Sequence, residues 1–215
     1  MGTKIAGKLL FIGEFCLSLT AVGLFWSTSS GHFREKLWEY GGVKGWNSNP
    51  NHRVYSYANY EEPPEIPLIW SPSLTDATLA VALLSIIFLV ARITVEYFGQ
   101  MSRTFSLIYG TFLIFFWFHS IESQASGDFS DPKHSSRHPW YLTRHCQRDI
   151  ATACRVAQAS FIISVLASLL YSERLIATAL EAIKAYRTTP GSGYQPVSVD
   201  LNLMDGEDWA SQEDN

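Results

Sequence analysis

The sequence predicts an all-α membrane protein, a bundle of four transmembrane helices. Four apolar segments of membrane-spanning length lie at residues 5–27, 75–98, 103–121 and 154–171. A helix needs about 20 predominantly apolar residues to cross a hydrocarbon core about 30 Å thick. Residues 104–121 contain no Asp, Glu, Lys or Arg, which is typical of a span and not of a helix in a soluble domain.

The first segment follows Lys4 and Lys8, as the apolar part of a cleaved signal peptide would. Its apolar stretch, Leu9 to Trp26, is longer than the roughly 7–15 residues of a signal peptide. No Ala-x-Ala cleavage pattern follows it cleanly. We therefore interpret this segment as a retained transmembrane helix.

The remaining sequence consists of loop 28–74, loop 122–149 and the tail 188–215, so no separate soluble catalytic domain fits in this chain. A phosphate-binding Walker loop, a dinucleotide glycine fingerprint and a nucleophile elbow are all absent from the sequence. We expect a protein without enzymatic activity and without a cofactor. The net charge of −4 and the acidic tail argue against nucleic-acid binding.

The distribution of Lys and Arg predicts that both termini are cytosolic. Basic residues are denser in the short flanks on that side than in the two long loops, and short flanks carry the most weight in setting orientation. We expect the lipid bilayer and other membrane proteins as partners, in the plasma membrane or in an endomembrane or vesicle. Aromatic residues near one interface fit the belt that flanks many membrane spans: Trp26, Trp70, Trp117, Trp140 and Tyr141.

Loop 28–74 is too aromatic for a disordered linker. Two interpretations stay open: an ectodomain that binds a partner, or a compact cap that buries its own aromatic side chains. The aromatic residues of this loop are Phe33, Trp38, Tyr40, Trp46, Tyr55, Tyr57, Tyr60 and Trp70.

Three cysteines occur, Cys16 within the first span and Cys146 and Cys154 near the start of the fourth. If Cys146 and Cys154 lie on one helix, their separation of eight residues corresponds to about 12 Å of helix rise. That distance is beyond the reach of a disulfide. We therefore expect loops without an internal disulfide.

Glu14 is the strongest candidate for a functional residue, because an ionisable side chain within a span is costly unless it is paired or hydrated. Arg92 lies at a depth in the second span that differs by only about 5 Å, so we predict an intramembrane ion pair. The double substitution of both residues should then recover much of the stability that each single substitution loses. The alternatives are that Arg92 extends to the interface or pairs with Glu96, and that Glu14 serves a small transporter or an accessory subunit of a membrane complex.

The fourth span presents a face of small residues at three- and four-residue spacing, which predicts close helix packing within the bundle more than between copies of the chain. Residues 172–187 continue as an amphipathic helix, and the polar, acidic tail 188–215 is predicted to be disordered. The small residues are Ala153, Ala157, Ser160, Ser164 and Ser168.

Histidines in loop 122–149 raise the possibility of a metal site, since His134 and His138 are four residues apart. Pro132 and Pro139 interrupt this region, and no His-Glu-x-x-His or Cys-x-x-Cys pattern accompanies the histidines. We therefore predict no metal site.

In the tail, Tyr194 and Val197 fit the tyrosine-x-x-bulky-apolar pattern that clathrin adaptors bind in extended form. An inert, solvated tail is the competing interpretation. Substitution of Tyr194 by Ala, with internalisation as the measurement, would separate the two.

The layout of four spans, cytosolic ends and a long first loop resembles that of claudin and MARVEL-type tetraspan proteins. The claudin signature is missing, since Trp38 and Trp46 have no cysteine partners in loop 28–74. The residues 30–34 (SGHFR), 194–196 (YQP) and 206–211 (GEDWAS) are similar to the transmembrane protein 179 group. The resemblance implies a non-enzymatic organiser of membranes, vesicles or junctions.

Overall fold

The computed structural model describes residues 2–60, 62–63, 65–99 and 102–188. Regular structure in these ranges is helical, apart from one isolated β-bridge between Asp128 and Ser136. Short 3-10 turns occur at Leu68–Trp70 and Arg148–Ile150. The helices are α1 (Gly2–Ser30), α2 (Phe33–Val43), α3 (Asn51–Ala58), α4 (Pro72–Tyr97), α5 (Arg103–Gln124), α6 (Trp140–Thr143) and α7 (Ala151–Thr188).

Four of these helices, α1, α4, α5 and α7, are long and apolar enough to cross a membrane, with mean hydropathies between 1.5 and 2.4 over their most apolar stretches. The prediction of four spans in an all-helical chain is confirmed. The fold is that of a multi-pass integral membrane protein. Side-chain caps define where two of these helices begin: Ser71 Oγ accepts from Ser73 N before α4, and Ser102 Oγ accepts from Phe105 N before α5.

The small residues predicted on the fourth span are all buried inside the chain, as close packing of α7 requires. Ser164 also accepts a hydrogen bond at 2.8 Å from Gln124 Nε2 of α5. A second polar contact joins α5 to α4, where Trp117 Nε1 donates to Ser85 Oγ at 3.1 Å. The five small residues are Ala153, Ala157, Ser160, Ser164 and Ser168.

The described residues of the connections 31–71 and 125–150 fold together at one end of the bundle into a compact unit, called here the cap. Its apolar core packs onto the adjoining turns of α4 and α7. The buried residues of this core are Leu37, Trp38, Ile69, Trp70, Leu74, Trp140, Tyr141, Ala153, Cys154 and Ala157.

The expectation that the loops contain no disulfide is wrong, because Cys146 and Cys154 are joined. The expectation assumed one continuous helix, but α7 begins at Ala151 and Cys146 precedes it. The turn Arg148–Ile150 folds the chain back, so that the two Cα atoms are 5.7 Å apart. The disulfide therefore fixes the end of the cap to the first turn of α7.

The chain divides into two compact units, Met1–Ala179 and Leu180–Asn215. In the second unit the structure describes residues 180–188, which are helical and expose Leu180, Ile183 and Tyr186. The predicted disordered tail, with the sorting pattern of Tyr194 and Val197, lies outside the described residues apart from Thr188.

Candidate functional site: a charge cluster and its cavity

Glu14 lies at the centre of the bundle with no exposed surface. Its Oε2 accepts a hydrogen bond from Arg92 Nη1 at 2.9 Å, and Arg174 Nη1 lies 2.6 Å from the same oxygen. Its Oε1 accepts from the Tyr109 hydroxyl at 2.6 Å. Both carboxylate oxygens are therefore satisfied, which a buried charge requires if the fold is to tolerate it.

Each of the four long helices contributes one residue to this cluster. Glu14 comes from α1, Arg92 from α4, Tyr109 from α5 and Arg174 from α7. A hydrogen bond or ion pair in a low-dielectric interior is stronger than the same contact in water. One carboxylate thus connects the whole bundle.

The structure brings together the two residues that the sequence analysis paired, Glu14 and Arg92. The alternative pairing of Arg92 with Glu96 is not present among the described contacts. Arg174 was not predicted to join Glu14, because it follows the fourth predicted span, which ends at residue 171. Tyr109 was not predicted either, because a phenol adds no charge to the sequence pattern.

A cavity of about 960 Å³ adjoins the cluster at the end of the bundle opposite the cap. Arg92, Tyr109 and Arg174 form part of its wall. The rest of the wall is mostly apolar, with contributions from Phe11 and Leu175 among others. Its volume lies within the range of roughly 300–1,000 Å³ that is usual for ligand sites.

A second buried carboxylate, Asp128, organises the cap and was not singled out from the sequence. Its Oδ2 accepts from Ser48 N at 3.0 Å, from Ser48 Oγ at 2.6 Å and from Trp70 Nε1 at 2.9 Å. Its Oδ1 accepts from Ser130 N at 3.2 Å and Ser130 Oγ at 2.8 Å. Asp128 therefore joins the two connections of the cap to each other, and through Trp70 it holds the turn that leads into α4.

The cap buries two further indoles with hydrogen-bond partners. Trp38 Nε1 donates to Ser48 Oγ at 3.0 Å, and Trp140 Nε1 donates to the Leu37 carbonyl at 3.0 Å. Burial raises the pKa of the nearby Tyr141 hydroxyl, and the Arg34 guanidinium opposes that rise. This part of the cap matches the interpretation of a compact fold that buries its own aromatic side chains.

Other aromatic residues of the cap are exposed. On α3 these are Tyr55 and Tyr57. Tyr60, two residues after the end of α3, is 100% exposed. Because Tyr55 and Tyr57 are two residues apart, they lie on different sides of α3. We call Tyr55 and Tyr57 on the helix, together with Tyr60 beyond its end, the tyrosines of α3; all three are exposed on the cap surface.

His134 and His138, for which a metal site was considered, make separate contacts. His134 Nδ1 lies 2.8 Å from Asp131 Oδ2, whereas His138 Nδ1 lies 3.2 Å from the Ala125 carbonyl oxygen. Among the described residues, no group of three His, Cys, Asp or Glu side chains is placed to hold a metal ion. The hydrogen bonds from the His134 ring and the Lys133 backbone hold the pKa of Asp131 below its ordinary value.

Comparison of the chain with protein-family models, with curated proteins and with solved structures finds no match. Its function is therefore argued from the geometry of the cap and of the charge cluster.

Proposed function

We propose that this chain is a non-enzymatic membrane organiser that binds other membrane proteins through its cap. The main observation in favour of this function is the exposure of the tyrosines of α3. Tyrosine is enriched at protein–protein interfaces, where its ring supplies apolar contact area and its hydroxyl a hydrogen bond.

The architecture of the cap supports this role. A disulfide, the Asp128 hydrogen bonds and the buried indoles hold the cap in one conformation from which α3 projects. A preorganised binding surface loses less conformational entropy when it binds a partner. The resemblance to tetraspan organisers agrees with this function.

The charge cluster supports an organiser over a small transporter. A residue that carries a proton or an ion must exchange its partners during each cycle, whereas Glu14 is held by Arg92, Tyr109 and Arg174 together. The cluster fits a structural role in joining the four helices. We place both termini in the cytosol and the cap in the lumen or outside the cell, because disulfides persist in those oxidising compartments.

The experiment that tests this function places a photo-crosslinking amino acid at Tyr57 in cells, with Glu39 on α2 as an exposed control position. We expect discrete crosslinked membrane proteins from position 57 and not from position 39. The triple variant Tyr55→Ser, Tyr57→Ser and Tyr60→Ser should lose the same partners from co-purification. Tyr186→Ser, which alters an exposed tyrosine outside the cap, should retain them.

Two results would count against the organiser. The first is equal crosslinking from positions 57 and 39. The second is crosslinking from position 57 to lipid alone, which would make α3 a membrane-surface contact instead. Unchanged tryptophan fluorescence of the triple variant, which reports on the buried Trp38, Trp70 and Trp140, shows that the cap is still folded.

A further inference from the structure

The cavity beside the charge cluster contains positive charge that Glu14 does not neutralise. Two guanidinium groups, those of Arg92 and Arg174, contact this single carboxylate through their Nη1 atoms. Each guanidinium has five N–H donors in total. The side chains of Arg92 and Arg174, which both line the cavity, keep 13% and 15% of their surface exposed, so part of each guanidinium is within reach of a ligand. The inner wall of the cavity therefore offers donors and one excess positive charge to a ligand.

A carboxylate stands nearer to the mouth of the same cavity. Glu96 follows Arg92 by four residues on α4, which places it one turn, or about 6 Å, closer to the end of the helix. Glu173 on α7 also lines the cavity, but it precedes Arg174 by one residue and so lies at about the depth of Arg174. Both carboxylate side chains are exposed, and within the described residues neither forms an ion pair. Along α4 the cavity thus changes from positive to negative over about one turn.

The cavity also opens onto the surface that faces lipid. Ile12 of α1 and Ile93 of α4 line it and are exposed at the surface of the bundle. In a protein that spans a bilayer, exposed apolar side chains at this position contact acyl chains. A lipid can therefore enter from the leaflet without crossing a polar barrier.

We propose that this cavity binds a phospholipid whose head group carries one phosphate and one primary ammonium, as phosphatidylethanolamine does. The phosphate lies against Arg92 and Arg174, because guanidinium groups bind phosphate with several parallel hydrogen bonds. The ammonium lies against Glu96, one turn nearer to the aqueous phase than Arg92. The acyl chains lie along the apolar wall. Basic pockets between transmembrane helices are known to hold lipid head groups, and Glu96 adds selection for an ammonium.

The test is retention of lipid by the purified full chain, measured by native mass spectrometry after equilibration with three lipids of identical acyl chains. These are phosphatidylethanolamine, phosphatidylcholine and phosphatidylglycerol. We expect the ethanolamine lipid to be retained about threefold to tenfold better than the choline lipid, because a trimethylammonium cannot donate hydrogen bonds to Glu96. Glu96→Gln should abolish this preference, and Glu39→Gln in the cap should leave it unchanged.

A second pair of variants tests the location. Ala177 lines the cavity whereas its neighbour Ile176 does not, so Ala177→Phe should reduce lipid retention and Ile176→Phe should not. Better retention of the glycerol lipid than of the ethanolamine lipid would overturn the proposal, since the site would then select anionic lipids. Equal retention of all three lipids, or equal effects of the two Phe variants, would also overturn it.

Discussion

Arg174 Nη1 lies 2.6 Å from Glu14 Oε2, so the last long helix of the chain is joined by an ion pair to the first. Arg92 contacts the same oxygen at 2.9 Å, and this shared acceptor changes what substitution should do. A simple pair loses comparable stability when either partner is removed. In the cluster of Glu14, Arg92 and Arg174, the carboxylate of Glu14 contacts both arginines. When one arginine is removed, the other remains as a partner of Glu14.

We expect Glu14→Gln to lower the free energy of unfolding by about 3–5 kcal/mol, because it leaves two guanidinium groups without a counter-charge. Arg92→Gln should cost less, about 1–3 kcal/mol, since Glu14 and Arg174 remain as a neutral pair. Unfolding in mild detergent measures both. The double variant of Glu14 and Arg92 should recover only part of the loss, and the further substitution Arg174→Gln should recover more. Full recovery in the double variant would contradict a role for Arg174.

The disulfide predicts a second effect. Cys146→Ser should lower the free energy of unfolding of the cap by about 2–3 kcal/mol, because the unfolded chain is no longer constrained by the loop closed at Cys154. Cys154→Ser should have nearly the same effect, and the double variant should add little. Cys16→Ser is the control, since this cysteine is exposed and free. Alkylation of Cys146 in the native, unreduced protein would show that the disulfide is absent.

Removal of the buried charge of the cap gives a third prediction. Asp128→Asn replaces one acceptor oxygen by an NH₂ donor, which conflicts with the N–H and O–H groups of Ser48, Trp70 and Ser130 that point at it. We expect a loss of about 1–3 kcal/mol in unfolding free energy and a change in tryptophan fluorescence. Asp149→Asn, at an exposed position of the turn Arg148–Ile150, should leave both unchanged.

The pH dependence of cap stability gives a fourth prediction. The pKa of Asp131 is below its ordinary value of 3.8 in the folded protein, chiefly because of the hydrogen bond with His134. The unfolded chain therefore binds a proton at Asp131 more readily than the folded chain. Its contribution to stability is complete well above pH 3.8 and is lost as the pH falls through the lower folded pKa. The difference in unfolding free energy between the natural protein and Asp131→Asn should shrink as the pH falls below the ordinary pKa of 3.8. A difference that grows as the pH falls would contradict this assignment.

The orientation of the chain gives a fifth prediction. In a Cys16→Ser background, Asn51→Cys at the exposed start of α3 should react with a membrane-impermeant maleimide in intact cells or sealed vesicles of the matching orientation. Tags at the two termini should be inaccessible in the same preparation. Reaction of the tags and protection of position 51 would reverse the proposed topology.

The four spans could be predicted from the sequence, because a span is recognised by the mean hydropathy of about 20 neighbouring residues, which does not depend on tertiary contacts. The match of Glu14 with Arg92 was also predictable, since helix rise converts sequence position into depth. Arg174 was missed because the apolar pattern weakens before the helix leaves the bundle.

The cap was less predictable because its contacts join residues far apart in the chain. Asp128 lies in a polar segment that resembles any exposed loop, and only its contacts with Ser48 and Trp70 distinguish it. The disulfide was missed for a local reason, since a single helix was assumed where a 3-10 turn precedes α7.

The shared carboxylate also constrains the order in which the protein can be assembled. During synthesis the ribosome delivers Glu14 to the membrane first, then Arg92 and Tyr109, and Arg174 only with the last helix. Until Arg92 and Tyr109 follow, Glu14 has no partner in a medium where an unpaired charge is costly, so the first helix cannot settle in the bilayer alone. Once they are in place, both carboxylate oxygens have a donor. The last helix then brings Arg174 to a carboxylate that is already paired, so its insertion adds a positive charge for which the described part of the bundle holds no second acid in contact.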